Sequence, residues 1–231
     1  HGSTCLTVIF KKRPVIPMPD FIPSIGTILG FSLASFLLSI TPGPDMALFL
    51  ARTVGGGRKL GFAAMFGAST GLVFHALLAG LGLSALLAAS ETAFLGVKIV
   101  GCLYLLWLAV QAVRHGSGFS IEPGTGDAHG VLKTYLTGLG INLTNPKVIV
   151  FFVTFLPQFV SASDPAASGK LLFLGLFFLV ISIPTNGAII LVAERFAGFM
   201  QSSPRAMRIF DYCFAGIMGA FALKLLLTQG R

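Results

Sequence analysis

Apolar and polar positions alternate along this chain in blocks sized for a bilayer. Sparsely charged apolar segments fall at about 29–53, 61–89, 93–113, 132–159, 169–193 and 209–228. Each meets or exceeds the roughly 20 residues that a helix needs to cross a membrane. The pattern therefore predicts an all-α polytopic membrane protein of six transmembrane helices. The first run is longer than one span requires, since Phe21 to Ala51 carries no charge except Asp45. Phe21 to Thr27 is accordingly expected to lie along the interface as an approach segment.

Two of these runs interrupt themselves. Thr41-Pro42-Gly43-Pro44-Asp45 breaks the first, and Asn142-Leu143-Thr144-Asn145-Pro146-Lys147 breaks the fourth. Proline removes a backbone donor and frees the carbonyl one turn earlier, and lipid cannot satisfy that carbonyl. A break of this kind in both halves predicts a polar site at membrane depth.

Composition agrees with the pattern. Hydrophobic residues make up 55% of the 231 and charged residues 10%, against about 25% charged in an ordinary globular chain; mean hydropathy is +0.88. The net charge of +8 is spread over short loops and forms no single basic face, so nucleic acid is not an expected partner. Arg52, Arg58 and Lys59 follow the first span, Arg114 and Lys133 flank the third-to-fourth connection, and Arg195, Arg205 and Arg208 follow the fifth. The positive-inside bias places these in the cytoplasm and both termini outside, although Lys11, Lys12 and Arg13 oppose that orientation. Residues 1–17 look unlike the rest and are expected to be an N-terminal extension or expression remnant, with a natural start at Met18.

The glycine-rich polar stretch at 114–131 divides the chain into three-helix halves at 18–113 and 132–231. Halves with an odd span count enter the membrane from opposite sides, so if they are alike they form two inverted repeats, with the proline-broken helices 1 and 4 in matching places. His115 and His129 lie in or beside this stretch without cysteine partners, and no metal is expected there. Cys5, Cys102 and Cys213 have no metal-ligand spacing and read as small apolar fillers.

The breaks carry chemistry. Thr41 can cap, Pro44 suits a first helical turn, and Asp45 complements the dipole of the helix it opens. Asn145 and Pro146 can begin the next half-helix in the same way. Lys147 then stands at the wrong end of its dipole and needs an anionic partner, a path to the interface or an anionic substrate. The sharper expectation is that Asp45 and Lys147 face one cavity, pair when it is empty, and otherwise receive the ammonium and carboxylate of a zwitterion. The plainer one is that Asp45 only caps and Lys147 only snorkels.

Candidate substrate-binding residues are therefore Thr41, Pro42, Gly43, Pro44, Asp45, Asn142, Asn145, Pro146 and Lys147, with Asn186 beside Pro184 in the fifth span. Asn186 could equally stabilise a kink. Asp45 is the first candidate for carrying a coupled proton and His75 the second. Gly67, Gly71 and His75 recur every four residues on one stripe of the second helix. The glycines there read as a close helix packing surface, and for His75 a helix-to-helix hydrogen bond is as good a reading as proton carriage.

Other chemistries fit less well. Gly67-Ala68-Ser69-Thr70-Gly71 matches G-x-S-x-G, but that nucleophile needs a strained strand-to-helix turn, and Ser69 and His75 point to different faces of a helix. No Gly-Lys-Ser/Thr follows the glycines at 55–57, so ATP is not the expected energy source, and no cofactor is implied. An ion or small-solute channel is the remaining rival, weakened by the lack of a filter motif or acidic ring.

The run from Thr41 to Asp45 through Arg52, the Gly-Gly-Gly-Arg turn at 55–58, and Asn145-Pro146-Lys147 leading through Phe151-Phe152 to Leu156-Pro157-Gln158-Phe159 resemble the LysE/RhtB family of amino-acid exporters. The resemblance runs from Met18 to the C-terminus. It implies a six-helix bacterial inner-membrane protein that exports an amino acid by proton antiport, with amino acid, protons and lipid as partners and a homodimer allowed. It also implies that 41–45 and 145–147 form the transport site. A thiol carrier of related architecture would need paired cysteines beside the prolines of helices 1 and 4, and none is present.

Overall fold

The computed structural model describes residues 21–83, 91–115, 130–161, 164–193, 195 and 203–227. The extension expected at 1–17, Cys5, His129 and most of the 114–131 linker lie outside them. Among the described residues every regular element is helical. The elements are α1 (Ile25–Ile40), α2 (Pro44–Gly56), α3 (Arg58–Leu78), α4 (Glu91–His115), α5 (Val131–Thr144), α6 (Pro146–Val150), α7 (Ala167–Leu191) and α8 (Pro204–Leu227). A π-helical turn over Ala79–Leu83 prolongs α3, while a π turn over Phe151–Phe155 and a 3-10 turn over Leu156–Phe159 prolong α6.

Among the described residues two helices, at Arg58–Gly82 and Ala167–Leu191, are long and apolar enough to cross a membrane, or up to four if each bent pair counts as one span. The bent pairs are α1 with α2, at 52°, and α5 with α6 and its extension, at 49°. These are the two segments whose prolines predicted a break.

Ahead of the first break, Ser24 starts α1 by accepting the Thr27 amide at 3.3 Å. The helix thus includes Ile25 to Thr27, which the sequence assigned to an interfacial approach. α1 stops where Pro42 supplies no amide, the chain runs extended through Gly43 (φ 179°), and Pro44 opens α2. Thr41 does not play the N-capping role expected of it. It is the C-cap of α1, where its hydroxyl donates to Leu37 O. At the second break Asn145 caps as expected, its side chain accepting the Lys147 amide at 3.0 Å with Pro146 beginning the helix.

The α2–α3 turn depends on Gly57, whose φ of 83° is reached without strain only by a residue lacking Cβ. Just beyond it Arg58 donates to Leu191 O at 3.0 Å, placing a cation at the carbonyl end of α7, where the helix dipole favours one.

α3 packs closely on α5. A Cβ at Gly67 would lie 1.9 Å from Tyr135 O, and one at Gly138 would lie 2.1 Å from Ala64 O, so backbone meets backbone along this seam. The packing surface read from Gly67 and Gly71 is therefore in use, against α5. On the other side of α3 the π turn after α6 points Phe151, Phe152 and Phe155 inward against Phe31 and Phe178. Phe151 lies 5.1 Å from Phe178 and 5.2 Å from Phe155 between ring centroids. In lipid such rings hold helices together by close packing, because leaving a hydrocarbon solvent gives no hydrophobic gain. α4 reaches this layer where Gly101 meets Thr154, and it packs on α8, where buried Cys102 donates to Ala222 O at 3.4 Å. Cys213 is exposed, so only Cys102 acts as the buried filler expected of both.

Candidate functional site

The two breaks, α3 and α7 enclose a small cavity. Its wall includes Thr41 and Asp45 from the first break, Asn142 and Lys147 from the second, and Asn186 from α7. Asp45 and Lys147 are the charged side chains in that wall; the rest is amide, hydroxyl or apolar, notably Met46, Phe49, Met65, Leu72 and Phe178. The space inside is ≈ 40 Å³, enough for about three water molecules.

Asp45 sits in the first turn of α2, where the positive end of the helix dipole favours a carboxylate. One carboxylate oxygen accepts from Asn142 Nδ2 at 2.7 Å. The other is buried without a hydrogen-bond partner, as are Asn142 Oδ1 and Asn145 Nδ2 nearby. Lys147 and His75 lie within electrostatic reach of the carboxylate, and the Asn145 amide is turned toward it. Polar atoms this buried are ordinarily paired, so the cluster is short of hydrogen bonds at the cavity.

Lys147 departs from the expectation. No ion pair within 4.0 Å joins it to Asp45. Its ammonium instead donates to Thr41 O at 2.8 Å and Leu38 O at 3.3 Å. The reason lies in Pro42: Leu38 O would accept the amide of residue 42 in a continuous helix, and proline has none. The Thr41 amide covers that carbonyl from one side at 3.3 Å and Lys147 from the other. The cation that stood against the dipole of its own half-helix is thus at the favourable, carbonyl end of α1. Gly43 makes room for it, since a Cβ there would come within 3.2 Å of Lys147 Nζ.

The second break is treated in the same way. Pro146 leaves Asn142 O without its helical donor, and the Asn145 amide at 3.1 Å and His75 Nε2 at 3.3 Å take its place. A carbonyl only accepts, so Nε2 carries a hydrogen in this contact. His75 also lies against the Phe152 ring, 5.6 Å between centroids, and it is not part of the cavity wall.

The structure therefore gathers Thr41, Asp45, Asn142, Lys147 and Asn186 around one space, with Gly43, Asn145 and His75 directly behind it. Pro42 is buried within the first break, whereas Pro44 and Pro146 are exposed on the outside of their turns. Sequence reasoning missed the apolar wall, because Met46, Phe49 and Phe178 look like any core residue until neighbouring helices are placed. Ser69 sits inside α3 with its hydroxyl given to Met65 O at 2.8 Å. With His75 bonded to Asn142 O, Ser69 and His75 are not paired as nucleophile and base. Among the described residues no group of three or more potential metal ligands occurs.

Comparison with known proteins matches residues 36–229 to the model of the LysE type translocator family. A homoserine/homoserine lactone efflux protein of Salmonella typhimurium is 30% identical over 193 residues, covering 81% of this chain and 89% of the relative. A leucine efflux protein of Klebsiella pneumoniae is 28% identical over 208 residues, covering 87% and 95%. A membrane protein of Vibrio cholerae is 34% identical over 134 residues, covering 57% and 64%. No solved structure matches at a significant level.

Proposed function

From its membership of the LysE type translocator family, to which the chain belongs, we propose that this transporter exports a neutral amino acid from the cytoplasm by proton antiport. One observation carries the reading: the cavity wall holds one carboxylate and one ammonium among amide, hydroxyl and apolar side chains. A zwitterion matches that pair of charges, and no further charge is present for a basic or acidic substrate side chain. The named relatives are efflux proteins for homoserine and its lactone and for leucine; homoserine and leucine are zwitterions with uncharged side chains, and the lactone keeps the ammonium alone.

The substrate ammonium lies on the Asp45 side and its carboxylate on the Lys147 side, with Asn142, Asn145 and Asn186 completing the hydrogen bonds. Thr41, Pro42, Gly43, Pro44 and Pro146 shape the breaks that hold these groups. At ≈ 40 Å³ the cavity is too small for an amino acid, so substrate enters only when α1, α2 and α6 move apart. The proton is carried by Asp45, whose second oxygen has no partner. His75 is the alternative carrier.

We read the chain as six spans in the bacterial inner membrane, in two inverted halves at 18–113 and 132–231, joined at 114–131. α4 and α8, of 25 and 24 residues, exceed the roughly 20 residues of a crossing. The inverted repeat is supported by the likeness of the breaks, each of which gives its orphaned carbonyl an amide from three residues on and a side-chain donor from elsewhere.

Vesicles containing the purified protein and loaded with a panel of amino acids test this directly. Efflux of neutral amino acids that is accelerated by a pH gradient is expected. Gradient-independent leakage of ions would assign the channel instead, and efflux confined to lysine or arginine would refute the neutral substrate.

A further inference from the structure

Building on the zwitterion site above, we propose that the carbonyls of Leu38 and Thr41 form the subsite for the substrate's α-ammonium. Lys147 is the ammonium that holds this subsite between substrates.

The carbonyl end of α1 has the chemistry of a cation site. Pro42 strips Leu38 O of its helical donor, Thr41 O lies in the extended link, and both face the negative end of the α1 dipole. The partnerless oxygen of Asp45 is buried in the same cluster. What occupies the site is a primary ammonium on a saturated carbon, which is also the group at the head of every α-amino acid. It makes hydrogen bonds of 2.8 Å and 3.3 Å. A lysine ammonium has three donors, so one remains for a carboxylate arriving in the cavity that Lys147 lines.

An incoming zwitterion can then exchange with it. Its carboxylate takes the free donor of Lys147 and draws the side chain back by about one hydrogen-bond length, ~3 Å. Its own ammonium, next to that carboxylate, takes over Thr41 O and Leu38 O, in the cavity whose wall also holds Asp45. Charge in the site stays balanced throughout, as no charge is created or removed. Gly43 leaves the end of the lysine stem free to move, whereas a Cβ there would press on Nζ and Cε at 3.2 Å and 3.3 Å. The exchange also explains a carboxylate and an ammonium that share a cavity without pairing, because the lysine is parked on the substrate's place.

The test removes the resident cation. Lys147→Met of the full chain, purified in detergent, is expected to melt several degrees below the wild type. Ethylammonium chloride at tens of millimolar should restore about 2–4 °C, while sodium chloride and tetramethylammonium chloride at equal ionic strength should not, and the wild type should respond to none of them. A variant that melts like the wild type overturns the proposal, as does an ethylammonium shift shared by wild type or by tetramethylammonium. If Lys147→Met does not fold, Lys147→Cys alkylated with 2-bromoethylammonium rebuilds an ammonium of similar reach. It should regain stability that ethylation does not give, and equal recovery with both reagents is the refuting result. These readouts do not depend on transport. Efflux without an ammonium effect keeps the exporter and removes this role of Lys147, and an ammonium effect without efflux does the reverse.

Discussion

Gly71→Ala adds a single methyl group at the point where α3 passes Asn142. The new Cβ would lie 2.5 Å from Asn142 Oδ1 and 3.0 Å from its Cβ and Cγ. Asn142 is fully buried and its amide holds Asp45 at 2.7 Å, so the side chain cannot yield without giving up that bond. Overpacking a tight site costs about 1–3 kcal/mol, and a hydrogen bond to a charged group is worth about 1.5–3 kcal/mol. The variant should therefore fold with a melting temperature lowered by several degrees and lose efflux by about ten- to a hundredfold. Both are measured on one preparation, by thermal melting in detergent and by efflux from reconstituted vesicles. Adding Asn142→Ala removes the Oδ1 and Cγ contacts, leaves only the Cβ contact at 3.0 Å, and separates the effects. The double variant should recover part of the melting temperature and none of the efflux, because Asp45 still lacks its donor. A single variant that melts and transports like the wild type, or a double variant no more stable than the single, would refute the reasoning.

Asp45→Asn keeps an acceptor for Asn142 and removes the charge; efflux should fall about a hundredfold or more, the loss of a strong charge-assisted contact, with the melting temperature held. Efflux that persists would mean Asp45 only caps its helix, a role worth about 0.3–1 kcal/mol. His75→Gln preserves a donor for Asn142 O and should leave both efflux and its dependence on a pH gradient intact; loss of gradient dependence in vesicles would assign the proton to His75. At the start of α7, hydrogen bonds from Lys170 and from the Ala166 amide hold the Asp164 carboxyl below its ordinary value of 3.8. The folded state thus takes up that proton less readily than the unfolded one, so the stabilisation is complete above the ordinary value and is lost as pH falls through the lowered one. Hydrogen exchange at the Ala166 amide should speed up over that acidic range in the wild type and be fast at every pH in Asp164→Asn.

The breaks were legible because their causes are local. Pro42 and Pro44 flank a glycine and Pro146 follows an asparagine that caps an amide two residues away, so the helix stops at both places, whereas the lone Pro184 leaves α7 continuous. The close seam on α3 was legible too, since Gly67 and Gly71 recur at helical spacing. What the chain did not disclose was partner choice across distance. Lys147 lacked a visible anion and its pairing with Asp45 was the natural guess, yet its partners are two carbonyls more than a hundred positions earlier. The clue was present in Pro42, because a proline that orphans a carbonyl calls for a donor as much as a carboxylate calls for a cation. Thr41 misled for a related reason: a threonine between two helices can serve either, and with Gly43 extended ahead of Pro44 it belongs to the one it follows.

The seam between α3 and α5 has a consequence for motion. Helices slide past one another by letting side chains hop between alternative packings, and a contact made of Gly67 on Tyr135 O and Gly138 on Ala64 O has no side chain to hop. That pair of helices moves as one piece, a stator against which the half-helices α2 and α6 can swing about their extended links. Variants that retune what the cavity accepts can then be sought in Met46, Phe49 and Phe178, while a Cβ at Gly67 or Gly138 would push against backbone and unseat the frame that the swing is measured from.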